Sequence, residues 1–99
     1  MSTDDVIAWA TQRDEYRQWL AHYLDAERLG FVQMVAGTTH GQRFQRVTFR
    51  LPDGAYVTLD AVLRANQAPA TQDTADDVAQ RVIRWVKGRD GRVPQGVVI

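Results

Sequence analysis

Between Phe31 and Asp60 apolar and polar residues tend to alternate, whereas on either side of that stretch apolar residues recur at steps of three and four. The first spacing predicts strands and the second predicts helices. Near the N-terminus Val6, Trp9, Ala10, Tyr16, Leu20, Tyr23 and Leu24 fall on one arc of a helix from about Thr3 to Arg28. Ser2 and Asp5 form a capping box at its start, and Gly30 stands where a helix C-cap belongs. Arg13 lies inside the apolar arc. Either the helix breaks near Thr11, or Arg13 lays its stem along the core and keeps its head in water. Trp19 lies off the centre of the arc, at the edge of a wide core face.

The alternating middle reads as a β-meander: Phe31–Thr38, Arg43–Leu51 and Ala55 to about Asp60. Thr39-His40-Gly41-Gln42 separates the first two runs and Pro52-Asp53-Gly54 the second pair, the latter a strong turn signal because Pro presets φ and Gly tolerates left-handed backbone. If Leu51 faces Ala55 and Thr38 faces Arg43, both turns sort the residues alike. One face then carries Val32, Met34, Val47, Phe49, Leu51, Val57 and Leu59. The other carries Phe31, Gln33, Val35, Arg46, Thr48, Arg50, Tyr56, Thr58 and Asp60. A slip of one residue in either turn would scramble this separation.

The apolar face needs a cover. Val62 and Leu63 follow Leu59 at helical spacing and predict a short helix over about 60–66, followed by a loop through Pro69. The last helix starts at a Thr74–Asp77 capping box, carries Ala75, Val78, Ala79, Val82, Ile83, Trp85 and Val86 on one arc, and ends at Gly88. Asp76 and Asp77 in its first turn and Arg84 and Lys87 in its last suit the helix dipole. Arg89-Asp90-Gly91-Arg92 reads as a turn. The tail from Val93 to Ile99 pairs as a further strand, tucks into a groove or frays.

Length changes this picture only by bounding it: 99 residues make one domain, here 1–99, large enough for its own core. The absence of cysteine removes disulfides, thiol nucleophiles and Cys-based zinc sites, and suits a reducing compartment, so a cytoplasmic location is expected. Acids at Asp4 and Asp5 stand where a secretory signal would carry bases, and no apolar run approaches the ~20 residues that span a bilayer, so neither export nor a membrane partner is expected. Twelve bases cancel twelve acids, which disfavours nonspecific nucleic-acid binding.

Candidate chemistry is sparse. His22 lies on the polar side of the first helix and His40 in a turn; neither has the partners a metal site needs. Asp4-Asp5, Asp14-Glu15 and Asp76-Asp77 read as solvated surface, Ser2 is the one serine, and no nucleophile elbow or phosphate-binding glycine loop is present. No catalytic, metal or cofactor-binding residue is assigned. What remains is the polar sheet face, where Phe31, Arg46, Arg50, Tyr56 and Thr58 combine planar cations with rings, a mixture that anchors protein interfaces or stacks on bases. The plain alternative for the same face is that Arg46 pairs with Asp60 and Arg50 stacks on Tyr56.

The order α-β-β-β-α resembles that of double-stranded-RNA-binding domains, but Asp73-Thr74-Ala75-Asp76-Asp77 has the wrong sign for their phosphate-binding helix start. It is also similar to that of the small dimeric chaperones of bacterial secretion systems, a likeness of topology that carries no site residue. The expectation is an α+β two-layer sandwich, a three-stranded antiparallel meander with an N-terminal and a C-terminal helix on one face. Its expected role is that of a non-enzymatic accessory or regulatory protein of the bacterial or phage kind, working by protein–protein contact. The alternative is a nucleic-acid-binding module using the open sheet face, and an enzyme with an unrecognised site ranks third. Uncovered sheet edges point to a homodimer.

Overall fold

Two tight turns organise the sheet. In the computed structural model, which describes residues 3–89 and 97–99 with side chains from Arg13 onward, His40 (φ 52) and Gly41 (φ 76) both adopt left-handed backbone. Positive φ at both positions is the type I′ turn, whose backbone twist matches that of the flanking strands. The turn joins β1 (Gly30–Thr39) to β2 (Gln42–Arg50) and closes on the Thr39–Gln42 pair. At the second turn the Leu51 carbonyl accepts from the Gly54 N–H at 2.9 Å, the Leu51 N–H donates to the Ala55 carbonyl at 2.8 Å, and Gly54 has φ 95. Asp53 Oδ1 accepts the Ala55 N–H at 3.0 Å, which fixes the exit into β3 (Tyr56–Val62).

The register follows the expected pairing from Thr38–Arg43 to Met34–Val47 and from Arg50–Tyr56 to Arg46–Asp60. It departs at Val32. A β-bulge there shifts the pairing so that Phe31 stands opposite Phe49 and Gln33 opposite Thr48. Val32 is the extra residue and is 50% exposed, although the alternation placed it in the core. Phe31 takes the inward place instead and packs against the core. The larger ring thus gains a partly buried place against the core at the cost of one ladder irregularity.

The short helix expected over 60–66 does not form. β3 continues through Val62, with Ala61 opposite Gln45 and Val62 opposite Phe44. Val57, Leu59, Ala61 and Leu63 are all buried, a period-two series that overrides the helical spacing of Leu59, Val62 and Leu63.

The first helix, α1 (Thr3–Asp25), is unbroken through Thr11 and Arg13. Arg13 is half-buried, while Tyr16, Leu20 and Leu24 enter the core and Trp19 and Tyr23 pack at its margin. Gly30 is not its cap. Arg28 adopts φ 60, the Leu29 N–H donates to the Leu24 carbonyl at 3.0 Å and the Arg28 N–H to the Asp25 carbonyl at 2.9 Å. That pair of bonds is a Schellman motif, completed by the buried Leu24 and Leu29. The Ser2–Asp5 capping box, the side chains of Val6, Trp9 and Ala10, and the turn at 90–92 lie outside the described residues.

The second helix, α2 (Gln72–Gly88), starts earlier than expected. Thr71 is its N-cap, with Oγ1 accepting the Thr74 N–H at 3.2 Å. Thr74 is buried in the first turn and its hydroxyl donates to the Ala68 carbonyl, so it ties the preceding loop down instead of capping the helix. Ala75, Val78, Ala79, Val82 and Ile83 are buried, and Trp85 and Val86 pack partly against the same core.

The tail supplies β4 (Val97–Val98), parallel to β3, so the sheet has four strands in the order β1-β2-β3-β4. The Ile99 N–H donates to the Asp60 carbonyl at 2.8 Å and the Val62 N–H to the Ile99 carbonyl at 3.2 Å. The result is an α+β fold in which residues from both helices and from one face of the sheet form one core cluster. No helix among the described residues is long and apolar enough to cross a membrane.

Candidate interaction face

Side chains of β1, β2 and β3 that point away from the helices make an open face. Its rows follow from the register. Gly37, Phe44 and Val62 lie side by side, next Val35, Arg46, Asp60 and Val98, then Gln33, Thr48 and Thr58, and last Arg50 and Tyr56. Four of the five expected site residues, Arg46, Arg50, Tyr56 and Thr58, are on this face. Phe31 is not, because the bulge at Val32 turns its ring toward the core.

Of the two cations on the face, Arg46 is held by an acid and Arg50 by a ring. Arg46 grips Asp60 through two parallel bonds, Nε to Oδ1 at 2.8 Å and Nη2 to Oδ2 at 3.2 Å. This fork holds the guanidinium in one orientation, and the hydrogen bond to Asp60 raises the Arg46 pKa above its ordinary value. The same guanidinium lies 5.4 Å from the centre of the Phe44 ring. Phe44 in turn covers Gly37: a Cβ built on Gly37 would meet the ring at 2.6 Å, so the ring occupies the space that any side chain there would need. Arg50 lies 6.0 Å from the centre of the Tyr56 ring, and the Thr48 and Thr58 hydroxyls bond to one another at 3.1 Å.

Apolar groups fill what the charges leave. Val35 is 51%, Tyr56 59% and Val98 65% exposed. Phe44, Arg46, Asp60, Val62 and Val98 line a half-open depression of about 310 Å³ that reaches the turn at His40. Phe44, Val62 and Val98 are the residues the sequence reading missed. Phe44 was reachable by counting back two places from Arg46, whereas Val62 was hidden by the helix expected there and Val98 by the undecided tail. Among the described residues no three of His, Cys, Asp or Glu come together as metal ligands.

On the opposite side of the sheet a second polar group is buried. Gln45, on the core side of β2, accepts a hydrogen bond from the Tyr16 hydroxyl and donates from Nε2 to the Pro69 carbonyl at 2.9 Å. Burial pushes the Tyr16 phenol above its ordinary range, against the lowering influence of the Gln45 bond. The three residues so joined come from α1, β2 and the loop before α2, which marks the group as a structural tie.

These features define an α+β domain with a partly apolar sheet face that carries one internal ion pair, Arg46–Asp60. No family model, curated protein or solved structure matches the chain at a significant level.

Proposed function

We propose that the protein is a non-enzymatic accessory or regulatory protein that binds a protein partner through the open sheet face. The observation that supports this reading is the combination of exposed Val35, Tyr56 and Val98 with a cation, Arg46, already neutralised by Asp60. Apolar and aromatic groups around a fixed ion pair favour a desolvated protein contact, whereas phosphate recognition needs free positive charge. The nucleic-acid reading keeps one feature in its favour, the Arg50 guanidinium over the Tyr56 ring.

The test is retention of partners from the native host by the native chain and by Tyr56→Ala and Val98→Asp, followed by calorimetry with the partner so identified. Each substitution is expected to weaken the complex at least tenfold, the scale of an interface anchor. Folded stability should change by no more than about 0.5 kcal/mol, as is usual for solvent-face positions. Binding of an oligonucleotide that weakens steeply with salt and is lost in Arg50→Ala would replace the protein reading with the nucleic-acid one.

A further inference from the structure

β4 occupies the free side of β3, but among the described residues β1 has no strand on its outer side. Native sheets usually blunt such an edge with Lys, Pro or inward charges. The ten residues of β1, Gly30 through Thr39, contain no charge and no proline, and their bulge, at Val32, lies before the regularly paired stretch from Gln33 to Thr39. Their outward-facing groups can be named. The two-residue turn makes Thr39–Gln42 a hydrogen-bonded pair, so the alternation of an antiparallel ladder leaves the N–H and C=O groups of Thr38, Ala36 and Met34 pointing away from β2. The contact of Arg17 Nη2 with the Met34 carbonyl, a long 3.4 Å, agrees with this assignment and places one weak cap at one end of the series.

We propose that β1 pairs antiparallel with β1 of a second copy about a two-fold axis at Ala36, joining two sheets into one of eight strands. The edge matches a copy of itself. Antiparallel pairing about Ala36 sets Met34 opposite Thr38 of the other copy, and Val35 opposite Gly37. No charge meets a like charge along the seam. The exposed Val35 of each copy stands opposite Gly37 of the other, where it meets the Phe44 ring that covers that glycine, apolar group against apolar group. Of the charges nearest the seam, Arg46 is paired with Asp60 at 2.8 Å and Arg17 with Asp14 at 3.9 Å, while Arg43, opposite Thr38, turns its guanidinium away to the carbonyls of Arg64 and Gln67 at 2.8 and 2.9 Å. Ala36 and Thr38 are exposed, so the seam is open to a partner strand. A dimer of this kind sets two open faces side by side on a single continuous sheet.

The chain has no cysteine, so single thiols report the register without interference. Under mild oxidation Ala36→Cys is expected to form a covalent dimer quickly, since residues paired across the axis sit about 5.5 Å apart at Cα, within disulfide range. Thr38→Cys should not, because its two copies are offset by roughly 13 Å along the strands. Light scattering over a concentration series should give a dimer for the native chain and a monomer for Ala36→Lys, with circular dichroism showing that the variant is folded. Tyr56→Ala should leave the dimer intact, which separates this seam from the proposed partner face. A native chain that stays monomeric at several hundred micromolar, a dimer that survives Ala36→Lys, or faster cross-linking through Cys at 38 than at 36 would each overturn the proposal.

Discussion

Gln45 illustrates how much of this fold rests on single polar residues in apolar surroundings. It is 1% exposed, yet its amide satisfies a phenol from α1 and a carbonyl from the loop before α2. A buried hydrogen-bonding group costs far more when its partner is removed than the pair contributes when intact. Gln45→Leu preserves most of the volume but orphans both the Tyr16 hydroxyl and the Pro69 carbonyl, and is expected to cost about 1–3 kcal/mol in urea unfolding. Adding Tyr16→Phe removes the first of these orphans, so the double variant should be no less stable than Gln45→Leu alone, a non-additive cycle diagnostic of direct coupling. Alternation already sends position 45 to the same face as Val47 and Phe49. What the sequence does not display is the partner, which lies 29 positions away.

At the scale of elements, ends and irregularities were harder to read than existence. Both turns, all three meander strands and both long helices were legible because each repeats its signal over many residues. The caps were displaced because each depends on a few atoms. Gly30 is the natural C-cap by residue type, but the chain makes its left-handed step at Arg28, two residues earlier, so that Leu29 enters the core. An L-residue in that conformation is strained by about 1 kcal/mol, partly offset because glycine loses more freedom on folding. Arg28→Gly is therefore expected to raise stability by about 0.5–1 kcal/mol, seen as a melting temperature several degrees higher. Gly30→Ala should fold normally, as the added Cβ makes an ordinary contact with Arg50 at 3.5 Å. The bulge at Val32 belongs to the same class: it exchanges Val32 for Phe31 in the core, a choice invisible to a strict period of two.

The whole molecule is closed by a side chain that no periodicity or motif singles out. Arg81 of α2 donates to Asp77 Oδ2 at 2.6 Å and to the Val62 carbonyl at 2.6 Å, with a longer contact to the Ile99 carbonyl at 3.4 Å. Helix, third strand and tail thus share one guanidinium, and Gln67 Nε2 adds the loop by donating to Asp77 at 2.9 Å. Asp77, expected to be solvated, is mostly withdrawn from water, and the Arg81 hydrogen bond holds its carboxyl below the usual carboxylate range. In the unfolded chain that group returns to about 4. Its contribution is therefore complete above about pH 4 and is lost as pH falls through the lowered folded value. Asp77→Asn should be less stable by about 1–3 kcal/mol near neutrality. Its melting temperature should also fall less steeply than that of the native chain below pH 4, as thermal melts across an acid series would show. The sequence by itself determined the two helices, the three antiparallel strands, their turns and the main register, because these follow from local periodicity and turn chemistry. Only the tertiary structure decided that Phe31 turns inward, that Val62 extends a strand and that the tail becomes a fourth one. Those outcomes depend on which residues distant in the chain reach the same volume or the same unpaired backbone, and no local pattern encodes that competition.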